Sequence, residues 1–136
     1  MTKKEQIKNA SAKLFRKKGF TATSMQDIAE VVGVKAASLY NHIGSKQEIL
    51  KDLLINIADA FTKGMSDIEN STLNAIEKLE ALIDLHVDLT IKYRDSIALI
   101  TGEWVHLESP ELDKYKKQRN EYEEQFLSIL TQCKTD

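Results

Sequence analysis

One glycine, Gly33, restricts the fold of this chain more than any other residue, because it stands alone between two short helical patterns. Before it, Met25, Ile28, Ala29 and Val32 recur at helical spacing; after it, a short helix over about Lys35 to His42 turns Leu39 inward. Two short helices crossing at a tight turn need a small residue at the crossing and a turn residue tolerant of positive φ. They also need apolar residues to fix the angle. Ala29, Gly33 and Leu39, with Ile28, Val32 and Val34 around them, meet these demands. The segment is therefore expected to be a helix-turn-helix.

The flanking sequence extends the all-helical pattern. Ile7, Ala10, Leu14 and Phe15 form the stripe of an amphipathic helix from Lys3 to Lys18, closed by Gly19. Thr23-Ser24-Met25-Gln26 has the form of a capping box, which predicts a second helix opening at Thr23. Gly44-Ser45-Lys46-Gln47-Glu48 repeats the signal before a long helix whose stripe includes Ile49, Leu53, Ile57, Phe61, Met65 and Ile68. Asn70-Ser71-Thr72 predicts a turn and cap, then a helix with Leu73, Ile76, Leu79, Ile83 and Val87 inward, reaching about Tyr93. After a break at Arg94-Asp95-Ser96, Ile97 to Leu107 is expected as one apolar helix carrying Trp104. Ser109-Pro110-Glu111 restarts the chain with Pro at the first helical position, and Leu112, Tyr115, Arg119, Tyr122, Phe126 and Leu130 share one side of the last helix.

No strand pattern, repeat or low-complexity tract interrupts this order. The expected fold is all-α: a three-helix, homeodomain-like helix-turn-helix head over residues 1–47 on a helical regulatory body over residues 48–136.

Charge divides the chain at the same place. Residues 1–51 carry 10 Lys/Arg against 4 Asp/Glu, and the remainder 9 against 17. A basic head on an acidic body is the asymmetry expected when one end meets a polyanion. The single cysteine, Cys133, excludes an intramolecular disulfide and a cysteine-based zinc site. The N-terminal lysines have no apolar run behind them, and no stretch of about 18 apolar residues occurs. A cytoplasmic protein with no membrane partner is expected.

The motifs also carry a resemblance. Thr23-Ser24-Met25-Gln26-Asp27-Ile28-Ala29, Gly33-Val34, Ser38-Leu39-Tyr40-Asn41-His42 and Ser45-Lys46-Gln47-Glu48-Ile49-Leu50 resemble the N-terminal domain of TetR-type repressors, over about Ile7 to Leu53. The resemblance implies that the third helix enters the DNA major groove, with Lys35, Ala36, Ala37, Ser38 and Asn41 facing base edges. Thr23, Ser24, Tyr40, His42 and Lys46 would stand along the phosphates. It further implies a double-stranded DNA operator, a small-molecule effector, a homodimer, and no cofactor.

Three positions depart from the family pattern. Lys35 stands where Ser or Thr is usual, so the third helix loses a cap worth about 1 kcal/mol. Ala37 replaces a frequent Gly, and Ile43 a usual Phe. Chains of the family usually continue through helices that build a four-helix dimer interface. The sequence ends at Asp136, so it is expected to be a shortened product or to pair through another surface.

The body offers candidates of its own. Phe61, His86, Leu89, Tyr93, Ile100, Trp104, Tyr122 and Phe126 are expected to line an apolar effector pocket with His86 as polar anchor, against the alternative of a plain packed core. By resemblance, the Glu103-Trp104 and Ser109-Pro110 segments look most like those of regulators answering to acyl-CoA thioesters. Glu103-Trp104-Val105-His106 has the Glu-x-x-His spacing of di-iron bundles, but such sites need a second copy and two more carboxylates, so no metal site is expected. A helical interaction module and a helical enzyme are the competing classes. The enzyme lacks a nucleophile–base pair, a glycine-rich phosphate loop and a complete metal set.

Overall fold

The computed structural model describes residues 1–135, and no strand occurs among them. Helix α1 (Lys3–Lys18) starts at Thr2, whose hydroxyl accepts from the Glu5 N–H while the Glu5 carboxylate accepts from the Thr2 N–H. Arg16, Lys17 and Lys18 complement the dipole at its end, and Gly19 leaves the helix at a φ of 86°. Helix α2 (Met25–Val32) ends at Gly33, which adopts the left-handed conformation (φ 84°, ψ 34°) that the turn requires. Helix α3 (Ala36–Tyr40) follows, with no side-chain cap from Lys35.

The cap of α2 differs from expectation by one residue. Thr23 is buried and its hydroxyl donates to the Gly19 carbonyl at 2.8 Å, so it is unavailable as a cap. Ser24 caps instead, and Asp27 rather than Gln26 reaches back.

Helix α4 (Lys46–Glu69) is capped by the Ser45 hydroxyl and runs from head to body. Helix α5 (Ala75–Lys92) opens at Asn74 in a capping box with Glu77, later than Asn70-Ser71-Thr72 predicts. A short helix, α6 (Arg94–Ile97), leads into two 3-10 turns, Ala98–Thr101 and Glu103–His106, in place of the single apolar helix expected there. Gly102 sits between them at φ −139°, ψ −37°, outside helical geometry, which lets the chain bend back toward the head. Helix α7 (Glu111–Thr135) completes the body as a bundle with α4 and α5.

A large core joins head to body: Ile7, Phe15, Ile28, Leu39 and Leu50 pack in one cluster with Leu99, Leu107 and Tyr115. A small second cluster of Met65, Leu82 and Ile129 closes the distal end. There Gly64 lets α4 and α5 approach closely, since a Cβ on it would stand 2.5 Å from Leu85 Cδ1. The buried face of α5 is Ala75, Leu82 and Leu89. The residues expected inward, Ile76, Ile83 and Val87, are more than half exposed, at 52%, 55% and 52%. On α7, likewise, Ile129 is buried and Leu130 is exposed.

Ala29 is fully buried at the α1–α2–α3 crossing. Ala29→Leu therefore overpacks the head and is expected to lower unfolding free energy by about 1–3 kcal/mol in a urea titration. An unchanged midpoint would show that the crossing has room to spare.

Candidate functional site

The buried side chain of Leu39 anchors α3 on the head and turns its other faces outward. Lys35, Ala37, Ser38, Asn41 and His42 are exposed, Ala36 is half-buried, and Tyr40 is 54% exposed. Among the described residues, none of the body covers this face. Neither Lys35 nor Tyr40 makes a side-chain hydrogen bond among the described residues, so both are free to reach outward. Ser24 is also exposed, at the start of α2, with its hydroxyl engaged by the Asp27 N–H. Lys18 holds Asp27 at 2.8 Å, and that bond, with those from Ser24, draws the carboxyl pKa down to about 2.

Two residues of the expected DNA-facing set are placed otherwise. The Thr23 side chain is packed inside the turn, as described above. Lys46 is half-buried, donates to the Phe20 carbonyl at 2.9 Å and lies 4.4 Å above the Phe20 ring. Its ammonium braces the turn between α1 and α2.

The same Phe20 is held from the body side. Its N–H donates to the Glu103 carboxylate at 3.0 Å, and its ring stacks on His106 at 5.4 Å. The Gln47 amide donates to the His106 carbonyl. Glu103 and His106, whose spacing suggested half of a di-iron motif, thus lie 3.5 Å apart, set against the head. Among the described residues no group of three His, Cys, Asp or Glu is placed to hold a metal.

A cavity of about 300 Å³ opens in the body between α4, α5, α7 and the first 3-10 turn. Of the residues expected to line it, Phe61, His86, Ile100 and Tyr122 do. Leu89 does not, being buried on α5, and Tyr93 lies in surface grooves near α1. Phe126 meets the His86 ring edge-on at 5.9 Å but opens onto a separate groove with Leu127 and Leu130. Trp104 is outside the lining, stacked on Tyr115 at 6.2 Å and lying 4.4 Å beneath the Arg119 guanidinium. Bending at Gly102 carries it there. Tyr115, Gln118 and Arg119 line the cavity in its place. Their signal was present in the α7 periodicity, where Tyr115 and Arg119 share a side with Tyr122.

At the cavity wall His86 Nε2 and the Tyr122 hydroxyl are hydrogen-bonded at 2.6 Å, with Phe61 packed on both rings at 5.0 and 5.5 Å. Burial lowers the His86 pKa and raises that of Tyr122 to about 12, so both are neutral at pH 7.

An exposed second helix of a helix-turn-helix, a basic head and a helical body with a cavity define a class of regulatory DNA-binding protein. The family model for bacterial regulatory proteins of the tetR family matches residues 7–53. That for the tetracyclin repressor-like C-terminal domain matches residues 72–136. The HTH-type transcriptional repressor KstR2 of Mycobacterium tuberculosis is 26% identical over 132 residues, which are 96% of this chain and 66% of that protein. The structure of the ketosteroid transcriptional regulator KstR2 matches with a TM-score of 0.88 at 24% identity, covering 96% of this chain and 67% of that one. AibR in complex with isovaleryl coenzyme A and operator DNA matches with a TM-score of 0.80 at 23% identity, covering 96% and 71%. The chain belongs to the TetR family of regulators. It spans 66% of the length of the curated relatives it matches first. No helix among the described residues is long and apolar enough to cross a membrane.

The depressed His86 pKa makes stability depend on pH in one direction. Below about pH 6.5, the ordinary imidazole value, the unfolded chain takes up a proton that folded His86 resists. Stability is then lost as pH falls through that value toward the folded pKa. Thermal unfolding is expected to show a drop between pH 7.5 and 5.5 that is smaller in His86→Gln; equal drops in the two proteins would remove His86 as the cause.

Proposed function

We propose that this chain is a transcriptional repressor that holds duplex operator DNA through its head and is released by a small apolar molecule in the body cavity. The observation that carries this is α3, anchored by Leu39 and otherwise exposed on the basic end of the molecule. In the proposed complex Lys35, Ala36, Ala37, Ser38 and Asn41 meet base edges in the major groove, while Tyr40, His42 and Ser24 lie along the phosphates. Thr23 and Lys46 act one step back, by fixing the turn that sets the angle of α2. The repressor names of the relatives support negative control.

Such heads work in pairs on half-sites one DNA turn, about 34 Å, apart, which supports a homodimer as the active form. The cavity's apolar walls favour an effector with a lipid-derived body, such as the acyl part of an acyl-CoA. Occupancy would act by favouring one spacing of the two heads over the other. The Glu103–His106 pair is committed to the head, which favours regulation over catalysis. The cytoplasm is the proposed compartment.

A duplex selected from a library of about 30 bp tests the reading, with affinity measured against salt. A steep fall with salt is expected, along with about a 10-fold loss or more for Lys35→Ala and Tyr40→Ala at unchanged melting temperature. Salt-independent binding, or binding indifferent to both substitutions, would remove α3 as the DNA-reading element.

A further inference from the structure

We propose that the cavity takes an apolar molecule ending in an anion, and that Arg119 and the Tyr115 hydroxyl read that end. The proposal rests on the effector reading above and adds the charge of the ligand and the groups that recognise it.

The polar groups of the lining sort by what they already touch. His86 and Tyr122 satisfy each other at 2.6 Å. The Gln118 amide donates to Asp59 at 2.8 Å and to Thr62 at 3.4 Å, while its Oε1 is buried without a partner and out of a ligand's reach. Thr101 donates to the Ala98 carbonyl. Arg119 and Tyr115 are left, one turn apart on α7. Among the described residues Arg119 has no carboxylate within 4.0 Å and its side chain makes no hydrogen bond, while its guanidinium carbon lies 4.4 Å from the Trp104 ring centroid. The Tyr115 hydroxyl makes no hydrogen bond among the described residues. Arg119 also offsets part of the rise that burial gives the Tyr115 pKa, so the two groups stand in each other's field.

Two donors, one of them cationic, therefore line the cavity one turn apart on α7. The complementary group is an acceptor with negative charge, the case in which hydrogen bonds are strongest. Ile57, Ala58, Phe61 and Ile100 on the other walls ask for an apolar body. The one carboxylate of the lining, Glu123, is exposed and more than 4.0 Å from Arg119. An ammonium would face Arg119 without a partner. The anion has two chemical sources: a free carboxylate, or the phosphates on the carrier of an acyl thioester.

The test titrates sodium octanoate, octanoyl-CoA, 1-octanol and octylammonium chloride into the full chain. Fluorescence of Trp104, the single tryptophan, and thermal unfolding are followed together. At least one of the two anions is expected to bind about 10-fold tighter than 1-octanol, and octylammonium weakest. Arg119→Met, which keeps the apolar stem over Trp104, is expected to erase that preference while leaving 1-octanol binding unchanged. Tyr115→Phe, which loses only the hydroxyl, is expected to reduce it. Arg119-dependent binding of octanoate assigns the anion to a carboxylate, and of octanoyl-CoA alone to the carrier phosphates. Should 1-octanol bind as tightly as both anions, or the preference survive Arg119→Met, the anion site falls and the effector cavity stands. Should none of the four bind, both fall together.

Discussion

Alongside the shared core and the continuous α4, the polar contacts that seat the head on the body converge on the turn at Gly19 and Phe20. The Phe20 N–H is held by Glu103, its carbonyl by Lys46, and its ring lies between Phe15 at 5.2 Å and His106 at 5.4 Å. Hydrogen bonds to charged groups contribute about 1.5–3 kcal/mol each, and aromatic pairs about 0.5–1.5. Tilting the head as a rigid unit would break several of these together, because Glu103 and His106 belong to the body while Phe15 belongs to α1. The surface pair Arg16–Asp95 at 3.3 Å adds little by comparison. The head therefore has one well-defined seat.

That seat is joined to the cavity by a short covalent path. Ile100 and Thr101 of the first 3-10 turn line the cavity, and Glu103 and His106 of the second hold Phe20. Trp104, between them in sequence, lies under Arg119 of the cavity wall. A 3-10 turn has poorer hydrogen-bond geometry than an α-helix, so this stretch yields at lower cost than the helices around it. In the proposed mechanism a ligand engages Arg119, the contact over Trp104 changes, and the clamp on Phe20 is felt in the angle of the head. The ligand can shift the head only by its difference in affinity between the two arrangements, which places the functional weight on groups that touch both.

The head was legible because its constraints are local. A left-handed Gly33, a small residue at the crossing and a buried Leu39 each follow from neighbours a few positions away. What was missed there is tertiary. Nothing in Thr23-Ser24 says which hydroxyl will be spent on Gly19, and nothing in Ser45-Lys46 says that the ammonium will fold back over Phe20. The body was harder for a related reason. Helix α5 carries two apolar stripes at helical spacing, Ala75, Leu82 and Leu89 on one side and Ile76, Ile83 and Val87 near it. Periodicity cannot choose between two faces that are both apolar. The stretch from Ile97 to Leu107 has helical composition, and only the bend at Gly102 toward Phe20 divides it. A straight helix over Ile97 to Leu107 would carry Trp104 to the cavity, and the bend moves it behind Arg119.

The position of the cavity follows from the way the core divides. Ala58 and Ile100 pack against the large cluster that joins head to body, and Tyr122 packs against the small distal cluster of Met65, Leu82 and Ile129. The cavity lies along the seam between them. The distal cluster is the smaller of the two, and local opening is least costly where less apolar surface is buried. The His86–Tyr122 bond and the Phe61 ring span that seam, neutral and half-buried, so they hold the halves together without walling off the space. A site placed there borders the distal cluster on one side and, through Ile100 and Thr101, the 3-10 stretch that leads to Glu103 and His106 on the other.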